Sequence, residues 1–237
     1  MAFFTGGAVS EKNMTYGVDL GWLSQLEERG IRFVDKEKKE VEPLAAMKEM
    51  GADAVRLRIF VNPPKEAYWR KDENTVCMLG FCDAQSVQEM SERVKAADMK
   101  LMLDFHYSDH FADPEHQDIP EEWINDDAKQ LTERVYQHTK DVMSLFVEKG
   151  IRPDWVQVGN EINPGLLLPM GSRTERPEQM TAFLNAAYEA VKECCPECQV
   201  ITHLSCGSFP EYCDPFWEVF FENGGKTDIL GLSHYPY

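Results

Sequence analysis

The sequence has no apolar run near the roughly 18 residues that a transmembrane helix needs. Positive charge is scarce. Lys and Arg number 24 against 41 Asp and Glu, for a formal net charge of −17. Such a balance repels phosphate backbones and anionic lipid surfaces, which argues against nucleic acid or membrane as a main partner. A neutral polymer such as a polysaccharide fits. No glycine-rich turn follows the first strand, and no internal repeat or low-complexity linker interrupts the chain. The cysteines number seven, so a complete disulfide framework is not expected. Three of them cluster as Cys194-Cys195-Pro196-Glu197-Cys198. A zinc site is one reading. With no second cluster to supply a fourth ligand, reduced thiols at a helix end are the expectation. Met1–Ser10 carries no basic residue and is not a secretory signal as written. The expected location is cytoplasmic, or secreted if a signal has been removed.

What is present is the composition of a folded chain. Hydrophobic residues make up 43% and charged residues 27%. A chain of 237 residues can bury roughly 70–75% of its unfolded surface without staples. Short β-rich runs alternate with helical patterns, the mark of repeated βα units and a parallel sheet. Strands are expected near Thr15–Asp19, Ala54–Phe60, Leu101–Tyr107, Asp154–Glu161, Gln199–Ser205 and Ile229–Tyr235. Between them, apolar residues recur at helical spacing: Val87, Met90, Val94 and Ala97; Leu131, Val135, Val142 and Phe146; Met180, Phe183, Leu184, Ala187 and Val191; Phe216, Trp217, Phe220 and Phe221.

Successive side chains of a strand point to opposite faces. Val55, Leu57 and Ile59 therefore share one face, and Arg56 and Arg58 the other. Leu103 and Phe105 oppose Asp104 and His106, while Val156 and Val158 oppose Gln157, Gly159 and Glu161. An open doubly wound sheet would want apolar residues on both faces. A barrel explains the pattern: apolar residues meet outer helices, and polar ones point inward near the C-terminal mouth, where such barrels keep their active sites. The expected fold is α/β, of the (β/α)8 TIM-barrel type, with about six of the eight units present in one domain over residues 1–237.

Val158-Gly159-Asn160-Glu161 is the sharpest feature. A Glu at the end of a barrel strand is well placed for the general acid work of a glycosidase, which protonates the leaving oxygen. A neighbouring Asn can hydrogen-bond a sugar hydroxyl. The bland alternative is a helix N-cap, but Asn163-Pro164-Gly165 is turn chemistry.

The whole segment Asp-Trp-Val-Gln-Val-Gly-Asn-Glu-Ile-Asn, residues 154–163, resembles the acid/base strand of the arabinogalactan endo-β-1,4-galactanases. These are retaining glycoside hydrolases with a (β/α)8 barrel. Tyr16–Leu23, Gly51–Pro63, Leu103–Asp109 with Ala112–Pro114, and Ile229–Pro236 resemble the family's first, second, third and sixth strands in order. The resemblance implies Glu161 as acid/base and Asn160 as its hydroxyl-binding neighbour. It also implies that Arg58 helps to hold a nucleophile ionised, that His234 and Tyr235 lie near the catalytic pair, and that Asp104, His106 and Asn163 contact the sugar. The implied substrate is galactan or its oligosaccharides, with no cofactor and no metal. Two departures fall in the implied cleft and bear on subsite number. Phe111 stands where the family usually has Trp, and Pro164 and Leu168 stand where it often has Asn and Trp.

Six strands in 237 residues leave two units, about 80 residues, to complete a closed barrel. The resemblance puts the nucleophilic Glu after strand 7, and neither Glu211, in a loop, nor Glu218, in a helical stripe, replaces it. The expectation is a C-terminally incomplete domain whose open edges invite self-association. An inactive or sugar-binding barrel fragment is the alternative, and mannanases, cellulases and xylanases are rivals by mechanism. Arg56 and Arg58 have a second reading, in which one pairs with a barrel carboxylate such as Asp104. Trp22, Trp155 and Trp217 are expected in the core. Asp104, His106, Asp109, His110, Asp113 and His116 crowd thirteen residues. A metallohydrolase reading needs that segment to be helical, and its Pro and Ser/Asp content favours a loop.

Overall fold

The computed structural model describes residues 14–235, so Met1–Ser10 and the end of the last motif lie outside the described residues. The elements in order are β1 (Gly17–Asp19), α1 (Leu23–Glu28), α2 (Pro43–Glu49), β2 (Ala54–Ile59), β3 (Tyr68–Arg70), β4 (Val76–Met78), α3 (Ala84–Ala96), β5 (Lys100–Phe105), α4 (Ala128–Glu148), β6 (Trp155–Val158), β7 (Gly165–Leu166), β8 (Gly171–Ser172), α5 (Pro177–Cys194), β9 (Gln199–Leu204), α6 (Pro210–Glu222) and β10 (Ile229–Leu232). The main sheet has six strands, ordered β1-β2-β5-β6-β9-β10. Every pair in it is parallel. The two small antiparallel pairs, β3–β4 and β7–β8, sit in the loops that follow β2 and β6.

The strand alternation works as the sequence demands. Val55, Leu57, Ile59, Leu101, Leu103, Phe105, Val156 and Val158 are buried in one core with the helix stripes Val87–Met90–Val94, Leu131–Val135–Val142–Phe146 and Met180–Phe183–Leu184–Ala187–Val191. Burying each such side chain stabilises the fold by roughly 1.5–3 kcal/mol relative to leaving it exposed. Side-chain caps fix three of the helix starts, with Glu42 accepting from the Ala45 N–H at the head of α2. Asp83 accepts from the Ser86 N–H at the head of α3, and Asp127 forms a capping box with Gln130 at the head of α4.

Five of the six strands stop short of their expected C-terminal ends. The chain breaks there into left-handed backbone at Tyr107 (φ 50°), Glu161 (φ 52°) and Cys206 (φ 59°). Glu161 is therefore in a turn beyond the end of β6, not on the strand. Gly159, at φ 83°, supplies the first bend of that turn, in a conformation that L side chains rarely adopt.

The cysteine cluster departs from the sequence reading. Cys195 and Cys198 are joined by a disulfide, and only Cys194 of the three is a free thiol. The Pro-Glu turn after α5 brings the two Cα atoms to 5.4 Å, within bridging range.

His138, on α4, packs edge-on against Phe105, Tyr107 and Trp123, and its Nε2 finds no hydrogen-bond partner. Loss of water around the ring lowers its pKa to about 4, and His203 on β9 is lowered to about 4 for the same reason. Above an ordinary histidine pKa near 6.5 neither the folded nor the unfolded chain binds these protons. As the pH falls toward 4, only the unfolded chain takes them up, so stability falls with it. Urea unfolding should lose about 2 kcal/mol per histidine between neutrality and about pH 5. His138→Leu should flatten that slope, and an unchanged slope would contradict the assignment.

Candidate active site

Parallel register sets the polar side chains in rows across the sheet. Arg58 of β2 stands opposite Asp104 of β5, and Asp104 opposite Gln157 of β6. Asp104 has no exposure at all. Its Oδ1 accepts from Gln157 Nε2 at 2.6 Å, and its Oδ2 accepts from Arg56 Nη2 at 2.5 Å and His106 Nε2 at 3.0 Å. Burial alone would push this carboxyl's pKa up. The Arg56 guanidinium and His106 outweigh that and hold it at about 2. His106 Nδ1 accepts from the Ala112 N–H, which leaves Nε2–H for Asp104. Asp104 thus lies beneath the cleft floor. The expectation that it contacts the sugar is corrected, because it has no surface to offer.

The network reaches the cleft through Asn160. Its Oδ1 accepts from Arg56 Nη2 at 2.8 Å, and its Nδ2 donates to the Ala112 carbonyl at 2.7 Å. One Nδ2 hydrogen is left over. Arg56 is the arginine that pairs with the barrel carboxylate. Arg58 instead donates to Asp19 Oδ1 at 2.6 Å and lies between the rings of Trp22 and Phe111, 5.0 and 4.9 Å from their centroids. Trp22 is 42% exposed, so its expected place in the core is also corrected. It forms the rim side of an arginine sandwich. Trp155 and Trp217 are half-buried, and Trp217 packs on the core.

Asp19, Arg56, Arg58, His106, Phe111 and Asn160 line a cleft of about 410 Å³ at the C-terminal ends of the strands, together with Glu161, His203, Ser233 and Tyr235 and with Trp69, Lys71 and Cys77 of the β3–β4 hairpin. The carboxyl of Glu161 accepts from the Ser233 hydroxyl at 2.5 Å. Asp19 is paired with both arginines and Asp113 with Lys71, at 2.5 Å in the latter case. Among the described residues, Glu161 is the cleft-lining carboxylate in no ion pair.

Two expected contacts are not brought to the cleft. Asn163 is taken up by Ser205, accepting from its N–H at 2.7 Å and donating to its carbonyl at 3.2 Å. His234 Nδ1 pairs with the Ser208 hydroxyl at 2.7 Å. The remaining members of the acidic, histidine-rich run pair off separately. His110 meets Asp118, His116 meets Asp113, and Asp109 accepts from the N–H groups of Asn62 and Glu121. His110 also stacks on Trp69 at 4.1 Å. Sequence reasoning missed Asp19, Gln157, His203, Ser233 and the hairpin. For Asp19 a signal existed, since it is a carboxylate at the C-terminal end of the first strand.

A parallel sheet of βα units that gathers a carboxyl, two guanidiniums and aromatic rings at its C-terminal mouth is the architecture of the barrel glycoside hydrolases. Comparison narrows the class. Residues 15–237 match the sequence model of Glycosyl hydrolase family 53, and the chain belongs to that family. It is 33% identical to a probable arabinogalactan endo-β-1,4-galactanase A of Neosartorya fischeri and 32% identical to an arabinogalactan endo-β-1,4-galactanase of Cellvibrio japonicus, each over 93% of this chain. Its fold superposes on the GH53 catalytic domain of Ignisphaera aggregans with a TM-score of 0.86, at 31% identity over 97% of the chain. The chain spans 60%, 56% and 62% of those three proteins' lengths.

Asp104 is the group on which this site rests. Asp104→Asn keeps the shape, but removes the charge facing Arg56 and one of the two acceptor oxygens. It should cost about 3–5 kcal/mol, as the breaking of a buried ion pair does. Urea denaturation checks this, and a loss under about 1 kcal/mol would show that Arg56 does not depend on Asp104.

Proposed function

We propose that this chain carries the acid/base half of a retaining hydrolase acting within β-1,4-linked galactan, with Glu161 as the proton donor. One observation carries the reading: Glu161 alone among the described cleft carboxylates is in no ion pair. Asp19 is engaged by two guanidiniums, and Asp113 is held below the usual carboxylate range by Lys71 and His116 against the effect of burial, which makes it a poor acid. The Glu161 carboxyl is instead bound through the neutral Ser233 hydroxyl. Asn160, with its spare amide hydrogen, and the rings of Trp69, Phe111 and Tyr235 along the cleft suit a neutral sugar. The names of the relatives support galactan over mannan, cellulose or xylan, which the same chemistry would serve.

Retention calls for a second carboxylate about 5–5.5 Å from the acid, to attack the anomeric carbon. The other described carboxylates of the cleft are engaged by cations. A second reading follows, in which the 237-residue chain binds galacto-oligosaccharide and turns it over weakly. Two measurements on the purified chain separate the readings. Calorimetry should detect β-1,4-galactotetraose binding, and galactan hydrolysis should be weak or absent. Where hydrolysis is seen, Glu161→Gln should lower it on the order of 10²–10⁴-fold, and early NMR should show the β-anomer as product. Full hydrolysis by the Gln variant, or an α-anomeric product, would overturn the assignment.

A further inference from the structure

The turn that carries Glu161 is gripped by one residue of the next strand. The His203 carbonyl accepts from the Ile162 N–H at 3.1 Å, and its ring Nδ1 accepts from the Glu161 N–H at 3.2 Å. A backbone N–H can only donate. The other group facing Nδ1 is Gln157 Nε2, at 3.2 Å. That atom also lies 2.6 Å from the Asp104 carboxylate, so it is the amide nitrogen and not the oxygen. Two donors therefore aim at Nδ1, and the ring carries its proton on Nε2. Nε2 lies 3.0 Å from the Ser233 hydroxyl oxygen, which accepts it. The single proton of Ser233 is then free for Glu161 Oε1, at 2.5 Å.

We propose that His203 and Ser233 are positioning residues for Glu161, forming a one-way ring of hydrogen bonds from its backbone N–H through the imidazole and the hydroxyl back to its own carboxyl. The proposal rests on the reading of Glu161 as the acid. The ring does two things. It fixes the carboxyl relative to a backbone held in the left-handed region, which a residue with a side chain adopts only where its surroundings impose it. It also sorts the two oxygens. Oε1 is occupied by a donor, so the proton that Glu161 gives to a leaving group sits on Oε2, which takes no hydrogen bond from the other described residues. Burial keeps the His203 ring neutral down to about pH 4, so the tautomer persists across the neutral range.

The test uses the 237-residue chain and two ligands: galactobiose, which needs no proton, and a galactose-configured imidazole, whose ring nitrogen takes up a proton or a hydrogen bond from the acid in the plane of the sugar ring. Ser233→Ala should weaken the imidazole about tenfold more than it weakens galactobiose, the loss expected for one hydrogen bond to a charged group. Ser233→Thr, which keeps the hydroxyl, should restore it. Equal losses for both ligands would mean a structural role only and would overturn the proposal. Glu161→Gln separates the two ideas. If it spares imidazole binding, the acid assignment fails; if it weakens binding and Ser233→Ala does not, the ring fails alone. Independently of either ligand, long-range ¹H–¹⁵N spectra should show His203 protonated at Nε2, with that proton exchanging faster in Ser233→Ala. A proton on Nδ1, or exchange indifferent to Ser233, would overturn the proposal.

Discussion

Asp104 sits where water cannot reach it, and a carboxylate in that position persists only if every lone pair is answered. Arg56, His106 and Gln157 answer it from three adjacent strands and their ends. Each of the three then has a second engagement. Arg56 and Gln157 both donate to Asn160 Oδ1, Gln157 faces His203, and His106 takes the Ala112 N–H. The groups that reach the cleft are held by groups that do not. The requirement to satisfy one buried charge thus becomes a requirement on where Asn160 and the Glu161 turn lie.

The two arginines of β2 show how register divides labour. They are two residues apart and point the same way, yet their environments differ. Arg56 is drawn down to Asp104, while Arg58 is held at the level of Asp19 between two rings. Phe111 closes that sandwich from the loop after β5. Its ring packs on a guanidinium while it lines the cleft.

The architecture was legible because two periodicities are strong in this chain. Six β-rich runs marked the parallel strands, period-two alternation with polar residues on one face of three of them pointed to the mouth of a barrel, and the helix stripes of α3, α4 and α5 pack in the core. The strand ends were not legible. Nothing in the residue types of Tyr107 or Glu161 announces left-handed backbone, and at Glu161 the turn is held by His203 of the neighbouring strand. Arg58, His106, Asn160 and Glu161, singled out where the sequence resembles a known family, all lie along the cleft. The site was not legible at Asp104, because an inward-facing charge reads the same whether it meets a ligand or, as its full burial here requires, acts as a scaffold. Asn163 was not legible because its partner, Ser205, comes from the next strand's loop, 42 residues away. The disulfide was missed because an odd cysteine count says nothing about a pair three residues apart.

Everything proposed for the cleft depends on which atom of a bound sugar chain meets the side chain at position 161. A crystal structure of the Glu161→Gln chain with β-1,4-galactotetraose measures this directly. The expected result is a glycosidic oxygen within hydrogen-bonding distance of the substituted side-chain amide, roughly 2.6–3.2 Å, with the Asn160 amide on a hydroxyl of the adjoining ring. A tetrasaccharide bound elsewhere on the molecule, or crossing the cleft with no glycosidic oxygen near position 161, would contradict it.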